Sequence, residues 1–118
     1  MALINTALCS FGMSGWVFHG PFIDVHPDFN LYAVFERTKN LAKEKYSNIK
    51  TFRSLEELLK DDAIDLVIVN TPNITHYEYT KKCLEAGKHV VVEKPFTVTS
   101  TEAEELVALA EKQNVKLS

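Results

Sequence analysis

Lys94 stands between an acid and a proline, Glu93-Lys94-Pro95, directly after the apolar run His89-Val90-Val91-Val92. Lysine is rarely placed inside a sheet, and proline has no N–H for the ladder, so a strand must end there. An ammonium group at that point can hydrogen-bond a reacting oxygen and favour negative charge on it. In open α/β sheets the carboxyl edge is where ligands bind. A second group, Ser10-Phe11-Gly12-Met13-Ser14-Gly15, follows another apolar run. It departs from the dinucleotide fingerprint G-x-G-x-x-G by Ser10 at the first glycine. Serine is small enough for that turn if φ stays negative. Gly12 stands where backbone must approach a pyrophosphate, and Gly15 allows close helix–strand packing. The N–H groups of Met13 and Ser14 would face the phosphates, helped by the helix dipole. A plain βα turn accounts for the same residues. The lysine and the loop together point to nicotinamide-dependent redox chemistry.

Two further groups fall after apolar runs. Glu36 lies at about the distance expected for the acid that accepts from the ribose hydroxyls of NAD and repels the extra phosphate of NADP. Arg37, Thr38 and Lys39 follow at once and suit a phosphate. A solvated charge cluster is the plainer account of all four. Asn70-Thr71-Pro72-Asn73 has turn chemistry. Pro72 offers a flat apolar face to a ring, and Thr71 a hydroxyl. His76 sits in the first turn of the next helix. It reads either as a contact near the nicotinamide or as an exposed polar residue. His19 and His26 read as surface or packing residues, and His89 as structural. No His, Cys, Asp or Glu spacing argues for a metal. Cys9, in a strand, and Cys83, in a helix, read as buried reduced thiols.

The elements that must position these groups alternate along the chain. Near-continuous apolar runs at Thr6–Cys9, Leu31–Phe35, Leu66–Val69 and Val90–Val92 have the pattern of parallel strands covered on both faces. Ile49–Phe52 reads as a short edge strand, and Val115–Leu117 as the start of a sixth. Ser54 with Glu57, Thr75 with Glu78 and Thr99 with Glu102 form capping boxes that open helices. Ala103, Leu106, Val107 and Ala110 make one helical stripe. Gly87 is placed for a left-handed helix cap. The expected architecture is an α/β, Rossmann-type doubly wound parallel sheet of order 3-2-1-4-5-6, truncated near the sixth strand. Every group with chemistry in it would then lie at one sheet edge. An unfinished outer strand exposes unpaired N–H and C=O groups and favours self-association, so a homo-oligomer is expected.

Composition narrows the classes. The chain has 118 residues, 46% hydrophobic and 25% charged, with a net charge of -3. That suffices for one domain with a core. The pI near 5.8 and the lack of a basic stripe argue against nucleic acid. The apolar runs are too short for a membrane span. The first residues lack the charged and apolar regions of a signal peptide, so a cytoplasmic protein is expected.

Phe11-Gly12-Met13-Ser14-Gly15, then Asn70-Thr71-Pro72 with His76, then Ala86-Gly87-Lys88-His89-Val90-Val91-Val92-Glu93-Lys94-Pro95-Phe96, resemble the Gfo/Idh/MocA oxidoreductases, the glucose–fructose oxidoreductase and inositol dehydrogenase family. The last stretch is highly specific. The resemblance implies that residues 1–118 form an NAD(P)-binding Rossmann domain, with a C-terminal substrate domain absent from this chain. It implies NAD or NADP as cofactor, Lys94 as catalytic residue near the nicotinamide, and a Lys94–Pro95 peptide that can be cis. The cofactor-binding residues would be Ser10, Phe11, Gly12, Met13, Ser14, Glu36, Arg37, Asn70, Thr71, Pro72, Asn73, His76, Glu93, Lys94 and Pro95. The expected activity is hydride transfer between nicotinamide and a sugar, polyol or related small carbonyl or alcohol, with these 118 residues inactive alone. A dinucleotide sensor of the same fold is the alternative.

Overall fold

The computed structural model describes residues 4–9, 28–36, 43, 46, 49–69, 76–92 and 99–117, and of His76 the backbone only. Five strands form one sheet: β1 (Ile4–Leu8), β2 (Phe29–Phe35), β3 (Lys50–Phe52), β4 (Leu66–Val69) and β5 (His89–Val92). Their order is β3-β2-β1-β4-β5, and every pairing is parallel. Val90 also makes a parallel bridge to Leu117, on the outer side of β5. The expected order is therefore present up to the first residues of a sixth position. The described helices are α1 (Leu55–Leu59), α2 (His76–Glu85) and α3 (Ser100–Lys112).

β1 and β2 begin earlier than their apolar runs do. Asn5 and Asn30 pair across β1 and β2, and the Asn30 Nδ2 donates to Asn5 Oδ1 at 2.9 Å. Polar residues can start these strands because their side chains bond one another. Apolar periodicity alone does not register that.

Both faces of the sheet are covered. Ala7, Cys9, Ala33, Val67, Val69, Val90 and Val92 share one buried cluster with Leu55, Leu58, Cys83, Leu84, Leu106 and Ala110 of the three helices. Leu8, Val34, Ile68 and Ile49 form a second cluster, with Tyr46 and Val91 packed on it. Alternation along β1 and β4 divides their side chains between the two. Each fully buried aliphatic side chain contributes roughly 1.5–3 kcal/mol. In β2 the alternation slips. The register jumps from Thr6↔Leu31 to Ala7↔Ala33, which leaves Tyr32 as an extra residue. Tyr32 and Ala33 consequently face the same cluster. The bulge carries the Tyr32 hydroxyl to Asp61, where it donates to Oδ2 at 2.9 Å.

The capping signals are met where they are described. Thr99 and Glu102 bond reciprocally at the start of α3. Ser54 Oγ accepts from the Glu57 N–H at 3.2 Å and opens α1. Thr75 lies outside the described residues. Gly87, at φ +78°, ends α2. Gly87 N–H donates to Leu84 and Lys88 N–H to Cys83, the paired bonds of a Schellman cap. Asn114, at φ +56°, ends α3 the same way, with bonds from Asn114 to Glu111 and from Val115 to Ala110. Asparagine tolerates this region better than most residues.

The amino edge of the sheet is tied tightly. Asn5 N–H donates to Asp65 Oδ2 at 3.0 Å, and Asp65 N–H returns to Asn5 O at 2.9 Å. Lys88 is only 6% exposed, and its Nζ donates to the carbonyls of Asp61 and Ile64, both at 2.9 Å. His89 reads as structural and is so placed: its Nδ1 accepts from Lys116 N–H at 3.0 Å. The proton of the neutral ring is therefore on Nε2. Burial opposes the charge of Asp61, yet the Ala63 N–H, Tyr32 and Lys50 hold its carboxyl below the usual range.

The two cysteines are buried and unbridged. Contact with Cys83 first, and burial second, push the Cys9 thiol well above its ordinary range. Such a thiol is protonated and inert at neutral pH, in keeping with two packing residues.

Two substitutions separate a necessary donor from an unnecessary one. Lys88→Met keeps the apolar stem but abandons two carbonyls, and should lower unfolding free energy by about 1–3 kcal/mol in urea titration. Thr80 in α2 is fully buried, and its hydroxyl has no hydrogen-bond partner among the described residues. Thr80→Val removes that stranded group and should leave stability equal or raise it by about 1 kcal/mol in the same titration.

Candidate cofactor-binding edge

Parallel strands place their carboxyl ends together. Leu8 pairs with Val34 and Ile68, Phe35 with Phe52, and Val69 with Val92. The residues that leave this edge are Cys9, Glu36, Arg53 and those after Val69 and Val92. β1 and β4 are neighbours although 57 residues separate Leu8 from Asp65's successor Leu66 in the chain. From β1 the sheet grows one way to β2 and β3, and the other way to β4 and β5. The strand order thus reverses between β1 and β4, and the carboxyl edge at such a reversal is the usual ligand position in this architecture.

Glu36 is the expected site residue that the structure describes most fully. It follows β2 and is 8% exposed. Its N–H donates to Phe52 O at 3.1 Å, and its carbonyl accepts from Arg53 Nη1 at 3.0 Å. Both backbone polar groups of Glu36 are thus held by the end of β3. Next to it, the Phe35 ring lies 6.4 Å from that of Tyr79, tilted by 42°. This contact joins the end of β2 to α2.

His76 is the first residue of α2. The remaining expected site residues, Ser10, Phe11, Gly12, Met13, Ser14, Arg37, Asn70, Thr71, Pro72, Asn73, Glu93, Lys94 and Pro95, lie outside the described residues. Their place in the fold follows from what precedes them. The first group follows β1, Arg37 follows Glu36, the Asn70 group follows β4, and Glu93 follows β5.

Arg53 was not among the expected residues. It sits between the last residue of β3 and the N-cap Ser54. A basic residue between a weak strand and a capping serine carries little sequence signal. Only the strand pairing brings it beside Glu36.

Farther from the edge, α2 and α3 are clipped together on their outer side. Tyr77 donates to Glu105 Oε2 at 2.8 Å, and Lys81 Nζ lies 3.0 Å from Oε1. Lys81 first, and Tyr77 second, hold the Glu105 carboxyl below its usual range. These groups face water and serve packing.

Among the described residues no group of three or more His, Cys, Asp or Glu is arranged for a metal ion. No helix among them is long and apolar enough to cross a membrane.

Comparison with known proteins agrees with this architecture. The family profile described as "Oxidoreductase family, NAD-binding Rossmann fold", that of Gfo/Idh/MocA, matches residues 4–118. An oxidoreductase of Schizosaccharomyces pombe is 44% identical over 123 residues, covering 100% of this chain and 33% of its own. The scyllo-inositol 2-dehydrogenase (NADP(+)) IolW of Bacillus subtilis is 41% identical, over 98% of this chain and 32% of its own. A crystal structure of a Bacteroides fragilis protein is 55% identical, with a TM-score of 0.95, over 100% of this chain and 37% of that one. The 3-ketoreductase KijD10 of Actinomadura kijaniata, crystallised with NADP and TDP-benzene, is 28% identical, with a TM-score of 0.91, over 98% and 36% of the two chains. The chain spans about a third of the length of these relatives. With its strand order and a profile match over nearly every residue, the chain belongs to the Gfo/Idh/MocA oxidoreductase family and forms its NAD-binding Rossmann domain.

Proposed function

We propose that this domain serves an NAD(P)-dependent dehydrogenase acting on a sugar, a polyol or a related small carbonyl or alcohol. The observation that carries the proposal is the non-consecutive pairing of β1 with β4. It reverses the strand order at the carboxyl edge, and the glycine-containing segment, Glu36, the Asn70 group and Lys94 all follow strands that end at that edge. The donor set fits a dinucleotide: a carboxylate for a ribose, backbone N–H groups for phosphates, and an ammonium for the reacting end. IolW, by its name a scyllo-inositol dehydrogenase, supports a polyol.

The nicotinamide ring supplies hydride chemistry when bound. The chain's own residues bind and orient. Gly12 lets backbone approach the pyrophosphate, and Met13 and Ser14 offer N–H groups to it. Glu36 accepts from ribose hydroxyls, favouring NAD at least as much as NADP. Phe11, Asn70, Thr71, Pro72, Asn73, His76, Glu93 and Pro95 line the path between the phosphates and the nicotinamide end. Lys94 donates a hydrogen bond to the reacting oxygen and favours its negative charge as a carbonyl is reduced. A second domain closes the substrate side, so residues 1–118 alone bind dinucleotide weakly and turn nothing over. The whole protein works in the cytoplasm as a homo-oligomer.

Calorimetry with NADH and NADPH tests the cofactor reading. Binding of either supports it, and binding of neither overturns it. NADPH binding about tenfold tighter, or about 1.4 kcal/mol, would overturn the role given to Glu36. In the full-length protein, Lys94→Ala should lower kcat by about a hundredfold or more, with cofactor affinity within a few-fold. Near-normal kcat with lost cofactor affinity would make Lys94 a nucleotide contact.

A further inference from the structure

We infer that Arg53 is a positioning residue for the adenosine end of the cofactor, acting through the backbone of Glu36. The inference rests on the dinucleotide reading above.

The argument starts from the ladder between β2 and β3. Phe35 pairs with Phe52, and the Glu36 N–H still donates to Phe52 O at 3.1 Å. In a parallel ladder the bonds alternate evenly along the strand. The next one would run from the Ser54 N–H to the Glu36 carbonyl. It does not form, because the chain bends at Arg53 and Ser54, where Ser54 becomes the N-cap of α1. The chain has already turned away from the sheet. Arg53 Nη1 supplies the missing donor at 3.0 Å. A side chain thus continues the ladder for one position after the backbone has left it.

The consequence concerns direction. Glu36 is where β2 ends, and Arg37, Thr38 and Lys39 follow. The Glu36 N–H belongs to the peptide before its Cα and the Glu36 C=O to the peptide after it, so the two bonds hold both peptides and restrict the φ and ψ between them. The exit angle of the chain after β2 is therefore fixed, and with it the starting point of the segment that meets the ribose. Without Arg53 the Glu36 carbonyl loses this donor, and the peptide that leads out of β2 is held less firmly. Cofactor binding would then have to supply the lost order. Guanidinium suits this role, because one of its several N–H groups can serve a carbonyl from a planar, pre-organised fork.

This role predicts an effect on NADH and NADPH alike, because the exit angle serves both. Direct contact with a 2′-phosphate predicts loss of NADPH affinity alone. A merely structural role predicts lower stability with unchanged affinity.

Fluorescence titration of the full-length protein with NADH and NADPH, alongside thermal unfolding, separates these. Arg53→Ala should weaken both cofactors by about tenfold and keep their affinity ratio within about threefold of the unsubstituted protein's. Arg53→Lys, whose ammonium can still donate to the carbonyl, should return both affinities to within about threefold. If Arg53→Ala does not fold, Arg53→Met, which keeps the stem and has no donor, is read by the same criterion. Unchanged affinity for both cofactors, with or without a fall in Tm, overturns the inference. So does a loss confined to NADPH. Failure of the unsubstituted protein to bind either cofactor overturns instead the dinucleotide reading on which the inference stands.

Discussion

β1 and β4 meet at the centre of the sheet, and neither could be buried without the other. The first joins β2 to the rest of the fold, and the second joins β5 and α2. Bringing them together closes a long stretch of chain, which costs entropy before any contact offsets it. What offsets it is apolar burial on both faces: Ala7, Val67 and Val69 on one, Leu8 and Ile68 on the other. The reciprocal Asn5–Asp65 bonds then fix the register, since a slip of one residue would exchange the two faces. The reversal of strand order at the opposite, carboxyl end follows from this same pairing.

Side chains hold backbone groups at both edges of the sheet. At the amino edge, the side chains of Asn5 in β1, of Asp65 and Lys88 just before β4 and β5, and of His89 in β5 hold backbone groups. At the carboxyl edge, among the described residues, the Arg53 side chain does the same for the Glu36 carbonyl.

Much of the architecture could be read from the residues because burial on both faces leaves continuous apolar runs. Leu66–Val69 is a strand from end to end as read. Gly87 and the Thr99–Glu102 box are local signals with one physical meaning each, and both hold. The limits are equally physical. The early starts of β1 and β2 depend on Asn5 meeting Asn30, a contact between residues remote in sequence. The bulge at Tyr32 depends on two strands being in register. Asn114 caps α3 without the glycine that usually marks such an end. Arg53 is invisible until β3 lies beside β2. Of the candidate site, Glu36 falls at a strand end as read from the sequence, and the other motif residues, His76 apart, lie outside the described residues.

The turn between α1 and β4 offers a different kind of statement. The carbonyls of Asp61, Ala63, Ile64 and Asp65 are taken by Lys88, Asn5 and the His89 N–H. Tyr32 reaches Asp61 only because of the extra residue in β2. Three strands thus read the length of one short turn. An insertion or deletion there would have to be matched in β2 and before β5 at once. Surface loops usually drift freely in length, but this one is a ruler. Its spacing from Leu59 to Leu66 should vary less among functional sequences than the identity of the residues within it.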